Sequence, residues 1–346
     1  MVGGTSSTPV VDRADVGEVR LWAGPIPTLA DVFKARSVIR PYLNPSPMIR
    51  SESLSELLGC NVILKCESLM PTGAFKIRGG VNYMSRLTRE QLDRGVIAAS
   101  TGNHGQSIAY AARLFGGKAT IFVPLQANPL KVASIKKLGA EVISVGIDFD
   151  ESMAAAQIHA AQTDSLFIHS MNEPMLVAGV GTYTLELMEF EPNIDAIFAP
   201  VGGGSGLCGA LITAKGINPA VKVFGVQAVG APAVHDSWKA RKLLKTERAD
   251  TFAEGIATRE AFELPADVIW RLVDDIALVT DPEIKRAILT YLERTRLLVE
   301  GAGASPLAAA YAWRDELKGK TVGLIVSGGN LTLDVLASAM NEEKPL

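Results

Sequence analysis

One lysine of this 346-residue chain has surroundings that are unusual for a surface lysine. Lys76 lies in the stretch MPTGAFKIRGG, residues 70–80, among small residues and glycines. Most lysines of globular proteins keep the ammonium group in water, whereas a lysine packed into a tight backbone can clamp a phosphate or act as a covalent catalyst. The residues alone leave three interpretations of Lys76 open: a solvated charge, a phosphate clamp and a covalent catalyst.

A glycine-rich segment is the second candidate for chemistry. The stretch PVGGGSGLCGA, residues 200–210, follows a predicted strand and begins a predicted helix, so its backbone N–H groups can approach an anion at a helix N-terminus. Gly204, Gly206 and Gly209 match the G-x-G-x-x-G pattern of dinucleotide sites. The next strand ends at Gln227, however, and not at the acidic residue that such a site needs for the ribose hydroxyl. A phosphate site therefore fits better, with a purely structural glycine turn as the alternative.

Polar residues follow another predicted strand in the stretch STGNHGQS, residues 100–107. Ser100, Thr101 and Asn103 stand where parallel-sheet proteins bind ligands, outside the carboxyl ends of the strands. Helix capping would explain one polar residue here but not the whole run. His104, at the start of a helix, is expected to be a packed, neutral imidazole and not a proton-transfer group.

The elements that must position these residues are short apolar strands followed by helical segments. Between residues 96 and 170, four predicted strands alternate with three predicted helices, and a second series of strands covers 194–201, 222–229 and 321–329. This alternation predicts parallel sheets with helices on both faces, in two α/β domains of which one is inserted into the other. Two long helical segments are predicted at 281–301 and 306–317.

Composition excludes several classes of function. Hydrophobic residues make up 48% of the chain, charged residues 21%, and the net charge is only −3, so a nucleic-acid partner or an acidic membrane surface is not expected. No apolar run reaches the roughly 18 residues of a membrane helix, and the first residues lack the apolar core of a signal peptide. The chain is expected to be soluble and cytoplasmic. Three cysteines are too few and too dispersed for disulfides or zinc, and are expected to be buried thiols: Cys60, Cys66 and Cys208.

Four segments together resemble a known family. GAFKIRG, STGNHGQS, PVGGGSG and SGGN occur here in the order shown by the fold-type II pyridoxal-phosphate enzymes of the serine/threonine dehydratase and serine racemase group. Weaker similarity extends from about Pro41 to Leu333, and the closest likeness is to the catabolic dehydratases that lack a regulatory domain. The resemblance implies a tryptophan synthase β-like α/β fold, with two open, twisted, mostly parallel sheet domains and the cofactor between them. It also implies a flexible N-terminal arm (1–20), a large cofactor-binding domain (21–89 and 172–346) and a small substrate-binding domain (90–171) inserted in it.

The same resemblance implies roles for individual residues. Lys76 would form a Schiff base with pyridoxal 5'-phosphate and later take the substrate α-proton as a neutral amine, its pKa lowered by the dense pocket and by cations such as Arg78. Thr101 is the other implied catalytic residue, at the position of a proton-donating serine in the racemases. The residues implied to hold the cofactor are Lys76, Phe75, Asn103, Gly202, Gly203, Gly204, Ser205, Gly206, Glu300, Ser327 and Gly328. Those implied to bind the substrate are Ser100, Thr101, Gly102, Asn103, His104 and Met171.

The implied reaction follows from Ser327, which would face the pyridine nitrogen. A hydroxyl there, in place of a carboxylate, leaves the ring nitrogen largely neutral and favours loss of a β-hydroxyl. The expected enzyme is an ammonia-lyase that converts a 3-hydroxy-L-amino acid, threonine or serine by default, into a 2-oxo acid and ammonia. Met171 replaces a polar residue of the racemases, which favours a bulkier or less polar substrate side chain. The alternative is the same reaction on a larger or different 3-hydroxy amino acid: phenylserine, 3-hydroxyaspartate or an intermediate of hydroxyectoine breakdown.

Two further expectations concern metals and partners. Gln227, Ala231 and Ala233 stand where racemase-like members have the acidic ligands of a divalent cation, so no metal site is expected. By analogy with the family, a homodimer or homotetramer is expected. An inactive ligand-binding homologue is the alternative outside the enzyme class, and a dinucleotide oxidoreductase is a distant third.

Overall fold

Two β-sheets form the framework of the molecule. The computed structural model describes residues 20–100, 102–147 and 149–346. The predicted arm, apart from Arg20, and Thr101 therefore lie outside the described residues. The described strands are β1 (Met48–Arg50), β2 (Asn61–Cys66), β3 (Val96–Ala99), β4 (Ala119–Val123), β5 (Glu141–Ser144), β6 (Leu166–Phe167), β7 (Ala196–Pro200), β8 (Lys222–Ala228), β9 (Asp275–Val279) and β10 (Thr321–Val326).

Helices connect nearly all of these strands. The described α-helices are α1 (Leu29–Ile39), α2 (Glu52–Leu58), α3 (Lys76–Met84), α4 (Arg89–Arg94), α5 (Asn103–Leu114), α6 (Pro129–Lys137), α7 (Phe149–Thr163), α8 (Pro174–Phe190), α9 (Ser205–Ile217), α10 (Ala233–Ala240), α11 (Glu263–Leu272), α12 (Asp281–Thr295), α13 (Gly301–Ala312) and α14 (Leu333–Glu342). None of them is long and apolar enough to cross a membrane.

The sheet topology confirms the predicted fold class. A six-stranded sheet has the order β1-β2-β10-β7-β8-β9, and a four-stranded sheet has the order β5-β4-β3-β6. Every strand pair is parallel except β1–β2, which is antiparallel. The four strands predicted between residues 96 and 170 make up the four-stranded sheet. The sequence analysis did not identify β1 and β9, which form the two edges of the six-stranded sheet.

Buried residues alternate between the two faces of the larger sheet. Along β7, Ala196 and Phe198 face the core that α12 and α13 cover, whereas Ile197 and Ala199 face the core beneath α8 and α9. Because successive side chains of a strand point to opposite faces, this alternation places helices on both faces of the sheet. The cysteines predicted to be buried thiols are indeed buried and free: Cys60, Cys66 and Cys208.

The predicted helix over 281–301 is wrong at its C-terminal end. Helix α12 stops at Thr295, because Arg296 adopts a left-handed conformation with φ of 64°. The next helix, α13, begins earlier than predicted and contains Pro306. A proline inside a helix leaves the carbonyl four residues earlier without its N–H donor. Here the hydroxyl of Ser305 donates to that carbonyl, of Ala302, at 2.9 Å and replaces the missing donor.

Candidate active site

The four segments singled out in the sequence line one cavity of about 430 Å³. Its walls include Lys76, Ser100 after β3, Gly202 after β7 and Ser327 after β10. The last three follow the carboxyl ends of parallel strands, the edge at which open α/β sheets bind ligands. Strands of both sheets contribute, so the cavity lies between the sheets. Every described residue of the predicted site lines it except Gly328, which is buried beside it.

Backbone and side-chain contacts fix the position of Lys76, the first residue of α3. The N–H of Phe75 donates to the carbonyl of Ser327 at 3.0 Å, which ties the segment before the helix to the end of β10. The hydroxyl of Ser107, in α5, donates to the carbonyl of Lys76 at 2.6 Å. Elements that belong to both sheets therefore hold the lysine.

The amine of Lys76 has a polar but uncharged environment. Its Nζ donates to the hydroxyl of Ser205 at 2.7 Å and to the carbonyl of Ser170 at 3.5 Å, and lies 5.4 Å from the centre of the Phe75 ring. The residue keeps some exposure to the cavity, but burial lowers the pKa of its ammonium group from 10.5 to about 8. Loss of hydration disfavours the charged form, so the fraction of Lys76 that is a neutral amine near pH 7 is far larger than for an exposed lysine.

The expectation that Arg78 lowers the pKa of Lys76 is wrong. Arg78 is buried, and its guanidinium bonds Glu67 at 2.7 and 2.9 Å and Glu186 at 2.7 and 2.8 Å. Lys65 also pairs with Glu186, so the two cations and two carboxylates form a buried charge cluster of zero net charge. Burial alone would lower the pKa of Arg78, but the two carboxylates raise it. The charge of Arg78 is thus neutralised by its own two carboxylates. Burial alone lowers the pKa of Lys76.

The lowered pKa predicts how the amine reacts. In cofactor-free protein, Lys76 should form an adduct with pyridoxal that borohydride traps. The rate of this reaction should rise with pH and reach half of its maximum near pH 8. The reason is that a pKa of about 8 leaves about a tenth of the amine neutral at pH 7. The measurement is the amount of label on the peptide that contains residue 76. A midpoint near 10.5, the ordinary lysine value, would show that the amine is hydrated.

The glycines of the segment before α9 are required sterically. A Cβ on Gly202 would lie 2.3 Å from the carbonyl oxygen of Gly255, a backbone atom that cannot move aside. A Cβ on Gly203 would lie 2.3 Å from Cγ of Met171, and Gly204 adopts φ of 102° at the N-cap of the helix. The first N–H groups of a helix have no intrahelical acceptor, so this open backbone can bind an anion.

Asn103 belongs to a chain of hydrogen bonds whose direction is fixed. The amide nitrogen of Asn330 donates to the carbonyl of Thr72 at 2.9 Å and to Oδ1 of Asn103 at 2.7 Å. The amide nitrogen of Asn103 then donates to Glu300 at 2.8 Å, and the backbone N–H of Asn330 donates to the other Glu300 oxygen at 3.1 Å. Burial raises the pKa of Glu300, while these donors oppose the rise. A Cβ on Gly328 would lie 2.4 Å from the Glu300 carboxylate.

This series of hydrogen bonds includes a residue that the sequence analysis missed. Asn330 is the last residue of the SGGN segment, and the sequence predicts no role for it. Its side chain joins the lysine segment to Asn103. A polar residue directly after a glycine pair at a strand end would have been the only clue.

The structure shows what surrounds two of the predicted substrate-binding residues, His104 and Met171. His104 is buried, and burial together with the charge of Lys76 lowers the pKa of its imidazole to about 3, in agreement with a neutral ring. Met171 is only 9% exposed, and its sulfur and Cγ pack over the glycine segment. Nδ1 of His169 accepts the backbone N–H groups of Met171 and Asn172, at 3.1 and 3.0 Å, and so holds this loop.

Two ion pairs in the wall of the cavity were not predicted. Asp150 of α7 pairs with Arg259, and Lys131 of α6 pairs with Glu254. All four residues line the cavity. Lys245 also reaches Asp150, at 3.0 Å. Helices that pack on the four-stranded sheet are thereby joined to the loop between α10 and α11, which belongs to the other sheet.

Comparisons with known proteins agree with this arrangement. A family model described as "Pyridoxal-phosphate dependent enzyme" matches residues 39–328. The L-threonine ammonia-lyase of Thermotoga maritima is 38% identical over 315 residues, 91% of this chain and 78% of the relative. The catabolic L-threonine dehydratase of Staphylococcus aureus is 35% identical over 319 residues, 91% of this chain and 92% of the relative. The structure of maize serine racemase superimposes with a TM-score of 0.86 at 32% identity, covering 92% of this chain and 98% of that one.

Proposed function

This chain belongs to the family of pyridoxal-phosphate dependent enzymes, and on that premise we propose that it is an ammonia-lyase acting on a 3-hydroxy-L-amino acid. It removes water from the substrate, with threonine or serine as the default, and releases a 2-oxo acid and ammonia. The observation that carries the proposal is the amine of Lys76. Its pKa is lowered to about 8 by burial, and it lies between an anion-binding glycine segment and the strand end at Ser327.

The residues of the cavity fit pyridoxal phosphate. Lys76 would bond the aldehyde carbon, and the backbone of Gly202–Gly206 would hold the phosphate, since the first N–H groups of α9 have no intrahelical acceptor. Ser327 would face the ring nitrogen, and Asn103, fixed by Glu300 beside Gly328, would face the ring hydroxyl. Phe75 would contact the cofactor from the lysine side. When bound, the cofactor withdraws electrons from the substrate and makes its α-proton acidic.

The chain's own groups then bind the substrate and move one proton. The neutral Nζ of Lys76 takes the α-proton, which its lowered pKa permits near neutral pH. Ser100, Gly102 and Asn103, together with Thr101, would bind the substrate carboxylate through backbone N–H groups and hydroxyls. His104, being neutral, adds a hydrogen-bonding wall and no charge.

The organisation of the chain is part of the proposal. We assign residues 21–89 and 172–346 to a large cofactor-binding domain and residues 90–171 to a small substrate-binding domain inserted in it. The two separate sheets, with the cavity between them, support this division. The remaining parts of the proposal are an arm at 1–20, a homodimer or homotetramer, a cytoplasmic location and the absence of a metal site. Among the described residues, no three His, Cys, Asp or Glu side chains are grouped to hold a metal.

A larger substrate is the second candidate, and Met171 favours it. The thioether lies in the cavity wall against Gly203, so an apolar surface faces the space beside the glycine segment. An apolar wall accepts a phenyl group as readily as a methyl group if the volume allows it. Phenylserine therefore belongs in any test of the substrate.

A 2-oxo acid release assay on the purified protein with its cofactor tests the proposed function. The panel is L-serine, L-threonine, 3-hydroxyaspartate and phenylserine. Release of pyruvate or 2-oxobutyrate supports the default substrates, and faster release from phenylserine supports the second candidate. If a cofactor-loaded, folded protein converts none of the four, the proposed reaction is wrong.

Glu300 offers a prediction about cofactor binding. Both of its oxygens accept from donors of fixed direction, Asn103 and the backbone of Asn330, so the amide of Glu300→Gln must place an NH₂ group against one donor whichever way it turns. Such a mismatch costs about 1–3 kcal/mol, which corresponds to roughly fivefold to 150-fold weaker cofactor binding. The measurement is the dissociation constant for pyridoxal phosphate. Glu189→Gln, at an exposed residue, is the control, and an unchanged constant in Glu300→Gln would refute this role.

A further inference from the structure

Ser205 is the only residue of the Gly202–Gly206 segment with a side chain. It is the first residue of α9, only 3% exposed, and it lines the cavity. A phosphate held by backbone N–H groups needs no side chain at this position, as the four surrounding glycines illustrate. The Ser205 hydroxyl is therefore surplus to the anion-binding segment.

The hydroxyl is directed at the reacting amine. Its Oγ lies 2.7 Å from Nζ of Lys76, whereas the other polar contact of that amine, with the carbonyl of Ser170, is 3.5 Å long. A carbonyl only accepts, but a serine hydroxyl accepts one hydrogen bond and donates another at the same time. Ser205 is thus the contact of Lys76 that can both receive a proton and pass one on.

The proposed reaction creates a need for such a group. Removing the α-proton leaves Lys76 as an ammonium, while the β-hydroxyl departs poorly unless a proton reaches it. Building on the proposed function, we propose that Ser205 is a further catalytic residue, which carries a proton from Lys76 to the departing β-oxygen. Its backbone N–H keeps its place in the anion-binding segment.

The step balances without any other reactant. The Cα–H bond breaks and Nζ of Lys76 takes the proton, while the electron pair ends in the new Cα–Cβ double bond. The Cβ–O bond breaks, and the oxygen keeps its electron pair, takes the proton of the Ser205 hydroxyl and leaves as water. Ser205 recovers a proton from the Lys76 ammonium, so both residues end as they began.

Other described groups in the cavity are less suited to supply this proton. The Nε2 atom of His104 lies 3.4 Å from the carbonyl of Ile168, and a pKa of about 3 leaves the ring without an imidazolium proton to give. The Ser170 hydroxyl contacts the sulfur of Met171. Glu300 uses both oxygens to accept hydrogen bonds. Ser205 alone among these groups combines a hydroxyl with contact to the amine.

The test compares two leaving groups in the Ser205→Ala holoenzyme. L-Serine must lose hydroxide and needs the proton, whereas β-chloro-L-alanine has the same skeleton and loses chloride, which needs none. We expect pyruvate release from L-serine to fall about 100-fold, in the range of a lost general acid, while release from β-chloro-L-alanine stays close to the wild-type rate. In D₂O, recovered L-serine should still gain deuterium at Cα, because Lys76 remains active. Cofactor affinity should not change.

The controls separate this role from packing. Thr213→Ala removes a buried hydroxyl from the same helix, one that donates to the carbonyl of Gly181 at 3.1 Å, and should affect both substrates little. Equal losses with L-serine and β-chloro-L-alanine in Ser205→Ala, or no loss with either, would overturn the proposal. If the wild-type enzyme converts β-chloro-L-alanine but no 3-hydroxy amino acid, the proposed function itself fails, and the role of Ser205 fails with it.

Discussion

Lys76→Ala should abolish 2-oxo acid release, with a loss on the order of 10⁴-fold or more, as expected when a covalent catalytic group is removed. The variant should also lose the visible absorption band of the bound cofactor. Among the described residues, Lys131 is the one other lysine that lines the cavity, and it is paired with Glu254. The measurements are the release assay and the absorption spectrum. Since Lys76 lies at the start of α3 with partial exposure to the cavity, the variant should fold.

Mass spectrometry gives this prediction a second readout. Borohydride reduction of the wild-type holoenzyme should leave the reduced cofactor on the peptide that contains residue 76. Lys34→Ala, at an exposed residue paired with Asp31, should keep both the absorption band and the activity. Reduced cofactor on a different lysine would show that the assignment of Lys76 is wrong.

Arg78→Met should destabilise the protein by about 3–5 kcal/mol, the cost of leaving buried carboxylates without their cation. The substitution keeps side-chain volume near Glu67 and Glu186, so the expected loss comes from charge and not from a cavity. The measurement is the denaturant midpoint of the cofactor-free protein, which avoids any contribution from cofactor binding.

The matched control is Arg36→Met, which breaks an exposed ion pair with Glu189 and should cost less than about 1 kcal/mol. If the two variants lose the same stability, the buried charge cluster does not anchor α3 to β2 and α8. If Arg78→Met also shifts the pH midpoint of Lys76 labelling while remaining folded, the two cations are coupled after all.

The features that could be predicted from the sequence are those determined by residues close together in the chain. Strand–helix alternation gave the four-stranded sheet, and glycine runs after strands marked the segments around Gly202 and Ser327. These patterns place residues at the carboxyl ends of strands, and parallel topology then brings those ends together.

The parts that were missed depend on residues far apart in the chain. The side chain of Asn330 bonds Thr72 and Asn103, more than 200 residues away, and the Arg259–Asp150 pair spans 109 positions. Part of the lowered pKa of Lys76 was expected to come from Arg78, which is close in sequence, whereas helix geometry turns Arg78 toward Glu67 and Glu186. Such errors arise where tertiary contacts outweigh local pattern.

The position of β10 has a consequence for the order of events during synthesis. This strand lies between β2 and β7 in the larger sheet, although both of its neighbours precede it by more than 120 residues. A ribosome must translate Thr321–Val326 before the two halves of that sheet can join, while the strands of the four-stranded sheet are complete by Phe167 and can pair much earlier. The nascent chain should therefore capture cofactor only after Thr321–Val326 and Ser327 have left the ribosome, and not when the four-stranded sheet first forms.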